Sequence, residues 1–551
     1  MISKESKFFQ RSVDVAKRFL RSVVLVDDRA YESLDAPPEE VNAPASPEDA
    51  ALGEVEHARE ELEAEGDQDA GDDRAHAFDV RTITRLFAQN DLLATVAPIE
   101  VGSRQESRDI VVRLARRADV LVLDWALAGE EGDRGAFARE VLKRVREEDQ
   151  ERGGRLRLAV VYTGDNGLVA IKNRICDAMG IGRGNPTVAN VTEGHARYVV
   201  LGKPSAGSSD DVAYEALPDR IVREFTELTA GLLSNVALRG FAELRDRTHA
   251  VLAQTDHTLD APYLAHRVHC APVEAAEDLA VELLVDECAS ILRNANLQHE
   301  VSLDAAHERV IAQEDARFEI AVAEPPSSRV SVSNEDMHTL LRGGVENFEH
   351  PSLPKFSGTP PTAWRHEFYT NATAAFGGRM KVRGGNLNER FSVFSMLLTV
   401  SAQEPALTLG VLVRDTTSTD ILLCLQPRCD AVRVPDDGRD YLFVATTPAG
   451  SLGFDLVVAT ARGRYDRVLV RPSPRTLRLI RFKSNGPHRQ VRAVPDRDRS
   501  VFRDVTNKEY EFLGQLKDGH AQRYANELAA QIARVGVDTF EWLRRSDRSR
   551  R

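Results

Sequence analysis

Polar residues of a particular kind close the short apolar runs in the first two hundred positions. Asp27 and Asp28 follow SVVLV, Asp124 follows DVLVL, Thr163 ends LRLAVVYT and Lys203 follows ARYVVLG. Carboxylates gathered at one place repel one another unless a hard cation neutralises them. Mg²⁺ suits such a site, because it accepts a few carboxylates and keeps positions for water and phosphate oxygens. A Thr hydroxyl and a Lys ammonium facing the carboxylates would hold further phosphoryl oxygens. The set therefore reads as a phosphoryl-transfer site with a carboxylate nucleophile, in which Asp27, Asp28 and Asp124 converge on Mg²⁺ and Thr163 and Lys203 face them. A single Asp after a strand is ordinarily a turn or cap residue. Only 11 of the 551 residues are Lys, however, so a Lys-Pro at this strand end is an uncommon coincidence.

Such residues meet only if the elements carrying them lie side by side. Helical spacing of apolar residues predicts helices over 5–20, 79–90, 104–117, 134–150 and 166–179. Between them, SVVLV and the segments 92–99, 119–124, 156–163 and 196–202 are short, apolar and β-branched, as buried strands are. Alternation of this kind means a parallel sheet covered on both faces. The expected fold class is α/β: a five-stranded doubly wound parallel sheet over residues 1–235, with its ligands beyond the carboxyl ends of the strands. An acidic insert interrupts it after the first strand. Between Tyr31 and Asp73 there are sixteen acidic residues against one basic residue, Arg59. Residues 31–75 have too few large apolar side chains to order themselves and are expected to be disordered.

With these residues in place, the sequence resembles the receiver domain of bacterial response regulators, the chemotaxis-regulator fold. The resemblance rests on Asp27-Asp28, on Asp124-Trp125-Ala126-Leu127-Ala128-Gly129-Glu130-Glu131-Gly132, on Thr163-Gly164 and on Lys203-Pro204. It implies that Asp124 accepts a phosphoryl group from a phosphohistidine, that Asp27 and Asp28 hold Mg²⁺ directly or through water, and that Thr163 and Lys203 sense the phosphoryl oxygens. Ala126, two residues past the acceptor, carries no group that could orient an attacking water. Where receivers place an aromatic residue, three positions before the Lys, this chain has Val200. Tyr198 lies on the same face by strand alternation and is the candidate substitute.

The net charge of −14 belongs to the insert, whose local charge of −15 leaves the other 508 residues near neutrality. Neither a signal-peptide core nor an apolar run of the ~20 residues needed to span a bilayer is present, so a cytoplasmic protein without membrane contact is expected. Five cysteines without regular spacing argue against a disulfide framework or a zinc ribbon. Residues 236–345 read as a helical middle region. Residues 346–551 read as an α+β domain, with strands expected at 391–402, 406–414, 420–427, 439–446, 454–460 and 467–482 and a final helix at 507–536. No P-loop and no HExxH motif occurs. His266, His269 and Cys270, the pair Cys424 and Cys429, and His520 with Gln522 read as ordinary packed or exposed residues. The Arg-rich region 461–492 and the tail lack interleaved aromatics, so nucleic acid is not an expected ligand.

The ending YEFLGQLKDGHAQRYANELAAQIARVGVDTFEWLRR and the strand ILLCLQPRCDAVRV also resemble a group of long bacterial receiver-domain proteins from clusters ascribed to phage defence. Members stand beside a protein with a GHKL-type, histidine-kinase-like ATPase domain. The resemblance implies such an ATPase or kinase partner, and a homodimer is a further expectation. The leading expectation is an atypical response regulator phosphorylated on Asp124 or docking its kinase-like partner. The alternatives are a pseudo-receiver scaffold without phosphotransfer and a receiver-gated effector acting through the C-terminal domain.

Overall fold

The computed structural model describes residues 3–27, 80–97, 99, 103–127, 132–204, 211–270, 273, 275–312, 318–322, 328–353, 363–382, 385–400, 402, 404–450, 453–461, 464–486, 489–497 and 499–533. Asp28, the insert 31–75 and the basic tail therefore lie outside the described residues. The chain divides into two compact units, one built on Met1–His269 and Ala275–Lys381, the other on Val382–Arg551.

The first unit begins with α1 (Lys7–Phe19), capped by the Ser6 side chain, which accepts from the Phe9 amide at 3.2 Å. The expected alternation follows. Strands β1 (Ser22–Val26), β2 (Leu93–Ala97), β3 (Val120–Leu123) and β4 (Arg157–Thr163) alternate with α2 (Val80–Ala88), α3 (Arg104–Ala115), α4 (Ala136–Glu151) and α5 (Leu168–Met179). Then come β5 (Asn190–Glu193), β6 (Ala196–Gly202) and α6 (Leu217–Thr229). The sheet order is β2-β1-β3-β4-β6-β5. Its first five strands are parallel in the doubly wound order. The sixth corrects the five-stranded expectation. Residues 190–193 pair antiparallel with β6 through a Gly194-His195 turn, Gly194 taking φ +58°. The strand is short and polar, so it leaves no apolar run to read.

Every residue of β4 is buried, as a central strand covered on both faces requires. On one face Val111, Phe137, Val141, Ile171 and Ile175 from α3, α4 and α5 pack against Leu121, Leu123 and Val161. On the other, α1, α2 and α6 bring Phe9, Val13, Phe87, Ile221 and Phe225 against Val122, Val160 and Leu201.

The middle region is tied to this domain through α1. Helix α7 (Leu232–Asp246) packs on it, with the buried Asn235 donating to Ser12 Oγ at 3.1 Å. Residues 346–381, expected with the C-terminal domain, fall in this first unit. Phe368 and Phe376 of the helix Ala363–Arg379 pack against Phe318 of the hairpin Phe318–Val322/Ser328–Val332. The boundary expected at 345/346 therefore does not hold, because the apolar residues beyond it complete a core begun before it.

The second unit holds a seven-stranded antiparallel sheet. Its order is Leu477–Phe482, Arg439–Ala445, Ile421–Cys424, Val411–Asp415, Glu509–Gln515, Arg499–Arg503, Val494–Asp496. A three-stranded sheet of Thr447–Pro448, Arg464–Leu469 and Leu456–Ala461 accompanies it. Two expectations fail here. Residues 387–396 form a helix where a strand was expected, since an apolar run of that length fits either period. The last helix begins at Asp518 and runs to Ile532, and Glu509–Gln515, expected in it, is instead a strand in the sheet. A bulge between Phe512 and Gly514 interrupts the alternation that would have revealed it. Among the described residues no helix is long and apolar enough to cross a membrane.

Candidate functional site

Register brings the predicted residues together. Val26 pairs with Leu123, Leu123 with Val161, and Thr163 with Gly202, so the ends of β1, β3, β4 and β6 form one line along the carboxyl edge. The backbone holds that line past the strands. The Asp124 amide donates to Val26 O at 2.8 Å and the Lys203 amide to Thr163 O at 2.7 Å. Asp27, Asp124, Thr163 and Lys203 thus stand on four adjacent strands.

Lys203 reaches back over β4. Its Nζ donates to Asp124 Oδ2 at 2.8 Å and to Asp27 Oδ2 at 3.2 Å. All three side chains are largely buried, at 8% exposure for Lys203, 4% for Asp27 and 12% for Asp124. Burial pushes the Asp124 carboxyl up to about 6; Lys203 pulls it down and Asp27 pushes it up again. Burial also works against the Lys203 charge, but Asp124 and Asp27 more than offset it and hold its pKa above the ordinary lysine value. The Asp124 Oδ1 accepts a 3.3 Å bond from the Ala126 amide. Thr163 is fully buried, and its Oγ1 accepts from the Asp165 amide at 3.0 Å.

What lies next to these residues keeps them in place. Trp125 is buried beneath Gly135, where φ is +83° and a Cβ would stand 2.2 Å from the indole. The guanidinium groups of Arg139 and Arg174 lie over the indole at 5.8 and 5.2 Å. On the opposite face, Tyr162 meets Tyr214 edge to face at 5.6 Å and donates its hydroxyl to Val212 O at 2.6 Å. The ring of Tyr162 lies 5.9 Å from Lys203 Nζ.

This aromatic pair was missed in the sequence. The available signal was Tyr162, one residue before Thr163 and on the alternate face. Tyr198, the expected aromatic neighbour, is on the face of Val200 but far from Asp124 along the strand. It pairs with Ala159 and Val191 and is surrounded by Arg146, Glu193 and Asp149; burial pushes its hydroxyl up to about 12.

Two buried carboxylates, Asp27 and Asp124, stand together at this edge around Lys203, and Asp28 lies outside the described residues. One or two carboxylates with waters are the usual Mg²⁺ complement, so this donor set fits the ion. Among the described residues no group of three or more His, Cys, Asp or Glu side chains is placed to hold a metal. His266, His269 and Cys270 accordingly form no such group. Cys424 is buried, with its thiol pushed up to about 12 by desolvation, whereas Cys429 is exposed; both are free thiols.

Residues 19–207 match a family model described as a response receiver domain. That segment holds Asp27, Asp124, Thr163 and Lys203 and all six strands of the sheet, so this part of the chain is a receiver domain, of the kind used in response-regulator signalling. No curated protein and no solved structure matches the chain.

Proposed function

We propose that the chain is a response regulator whose Asp124 accepts a phosphoryl group. The observation that carries this reading is the single ammonium of Lys203 shared by two buried carboxylates at the carboxyl edge of the sheet. A carboxylate raised to about 6 is still mostly ionised at pH 7.5, and is therefore a competent nucleophile. In the step, an Asp124 oxygen attacks phosphorus of an N-phosphorylated imidazole. The O–P bond forms as the P–N bond breaks, and the departing imidazole takes a proton. Lys203 then exchanges part of its contact with the carboxylate for the new phosphoryl oxygens, and the Thr163 hydroxyl turns to donate to another. Bound Mg²⁺ would supply neutralisation of phosphoryl charge, held by Asp27 and Asp124 with water. Ala126 offers no side-chain group to hold a hydrolytic water, so the aspartyl phosphate is long-lived.

The donor in this reading is a histidine-kinase-like ATPase of the GHKL type, and the setting is anti-phage defence. Both are supported by the likeness of the segments ILLCLQPRCDAVRV and YEFLGQLKDGHAQRYANELAAQIARVGVDTFEWLRR to long receiver-domain proteins with such neighbours.

The test is intact-protein mass after incubation with acetyl phosphate and Mg²⁺. Wild type should gain one phosphoryl group and Asp124→Asn none, with the adduct decaying faster in Ala126→Asn. No adduct, together with no beryllofluoride binding, would leave a docking module without phosphotransfer.

A further inference from the structure

The amino edge of the same sheet carries a second concentration of charge, which the phosphoacceptor reading does not use. Helices α3 and α4 run antiparallel to the strands, so both end there. Arg113 lies in the last turn of α3, Arg116 is its C-cap and Arg117 follows it, while Arg152 caps the end of α4. These four residues line a cavity of about 490 Å³, with no acidic residue in its wall among the described residues.

Basic residues at helix ends commonly answer the helix dipole or cap the last carbonyls. Here other arginines already do that. Arg155 donates to Ala118 O at 3.0 Å and also to Arg116 O. Arg157, fully buried, donates to Ala115 O at 2.8 Å while holding Asp149 through paired bonds of 2.8 and 2.9 Å. Of the cavity's own arginines, Arg116 is spent on a two-point pair with Glu148, at 2.6 and 2.7 Å. Among the described residues, none of Arg113, Arg117 and Arg152 has an ion-pair partner; Arg113 makes one weak 3.3 Å bond to its own helix at Asp109 O. Three arginines without an ion-pair partner therefore line one concavity, with the Glu148 carboxylate acting on Arg152 and the Asp109 carboxylate on Arg113 from beside it. Like charges lining one concavity favour an anion between them, and guanidinium forks match phosphate oxygens two at a time.

We propose that this arginine-lined cavity binds the polyphosphate group of a small molecule, in the class of pyrophosphate, tripolyphosphate or a nucleoside polyphosphate. A single phosphate engages one or two forks, whereas a chain of two or three presents enough oxygens to meet Arg113, Arg117 and Arg152 together. The compact shape favours such a ligand over a nucleic acid, which needs a track of cations spaced along its backbone. The site lies at the opposite edge of the sheet from Asp124, so a ligand there is positioned to regulate the receiver domain rather than to react in it.

The experiment is calorimetric titration of the full chain with tripolyphosphate, ATP, inorganic phosphate and a single-stranded oligonucleotide, in EDTA to keep Mg²⁺ off the carboxyl edge. Expected are saturable one-site binding of tripolyphosphate, at least tenfold tighter than inorganic phosphate, and at least tenfold weaker binding by Arg117→Ala/Arg152→Ala. Arg152→Gln should weaken it in the same direction, whereas Arg329→Ala and Asp124→Asn should leave it unchanged. ATP equal to tripolyphosphate would assign recognition to the phosphates alone, and tighter ATP binding would add a nucleoside contact; either supports the site. The proposal is overturned by no saturable tripolyphosphate binding, by equal losses in Arg329→Ala and the double variant, or by tighter, length-dependent oligonucleotide binding.

Discussion

The two edges of the receiver sheet carry opposite arrangements of charge. At the carboxyl edge two buried carboxylates share one ammonium, that of Lys203. At the amino edge the buried pair Arg157–Asp149 is complete, and the surplus of arginines stands in the open. Part of this contrast follows from the fold. Helix N-termini gather at the carboxyl edge and favour negative charge, and C-termini gather at the amino edge and favour positive charge. The difference in burial does not follow from it. Burial raises the Asp124 carboxyl to about 6, although Lys203 pulls it down. The exposed arginines at the amino edge meet no such burial. The same sheet thus leaves charge uncompensated in a buried setting at one edge and in an exposed setting at the other.

The sharpest way to break the comparison is to remove the buried cation from each edge. Lys203→Met leaves Asp27 and Asp124 facing each other without their shared ammonium. A loss of about 3–5 kcal/mol at pH 8 is expected, because uncompensated buried charge is left behind. The loss should shrink as pH falls. The ordinary value of 3.8 for Asp124 is raised to about 6 in the fold, so its ionisation costs stability above about pH 6 and costs nothing below 3.8. Without Lys203 that window moves to higher pH. Urea unfolding of wild type and variant at pH 5 and pH 8 checks both the size and the trend. Arg157→Met should cost less, about 2 kcal/mol, since Asp149 keeps 17% exposure and water can reach it. Equal losses at the two edges would deny that the carboxyl edge is electrostatically special.

Mg²⁺ gives an intermediate effect of opposite sign. At ten times its dissociation constant, a ligand of the folded state stabilises it by about 1.4 kcal/mol. Thermal unfolding of wild type at pH 8 should therefore shift upward with Mg²⁺. The shift should diminish at pH 5, where Asp124 is mostly protonated, and should be strongly reduced in Asp124→Asn. A shift that survives in Asp124→Asn would place the ion elsewhere.

The same contrast explains what could be read from the sequence. The strand ends of the receiver were legible because parallel strands buried on both faces appear as unbroken apolar runs, and the residue closing each run faces the site. Asp27, Asp124, Thr163 and Lys203 could be placed at the carboxyl edge in that way, with helix bounds correct to a few residues. The edge strand Asn190–Glu193 could not, being too short and polar. The aromatic pair Tyr162 and Tyr214 depends on which face each ring takes in three dimensions, and periodicity pointed instead to Tyr198. In the second unit the pattern fails more broadly. The helix Leu387–Met396 carries Phe391 and Phe394 outward, so its apolar residues do not mark a buried stripe. The arginines of the amino edge were invisible for another reason. Arg113 and Arg152 are far apart in sequence, and Arg is so common in this chain that no single one stands out.

The smallest expected effect is the most discriminating for the amino edge. Arg117 has no ion-pair partner among the described residues and is exposed, so the fold gains almost nothing from it. Arg117→Ala should change stability by no more than about 0.5 kcal/mol, and relief of repulsion from Arg113 and Arg152 favours a slight gain. Raising the salt concentration should erase any such gain, because exposed charges are screened within about 10 Å at 0.1 M. A loss above 1 kcal/mol in urea unfolding would mean that Arg117 holds the helix end, as Arg155 and Arg157 do. The arginine surplus would then be structural at both depths, and the separation between a reactive edge and a recognition edge would not hold.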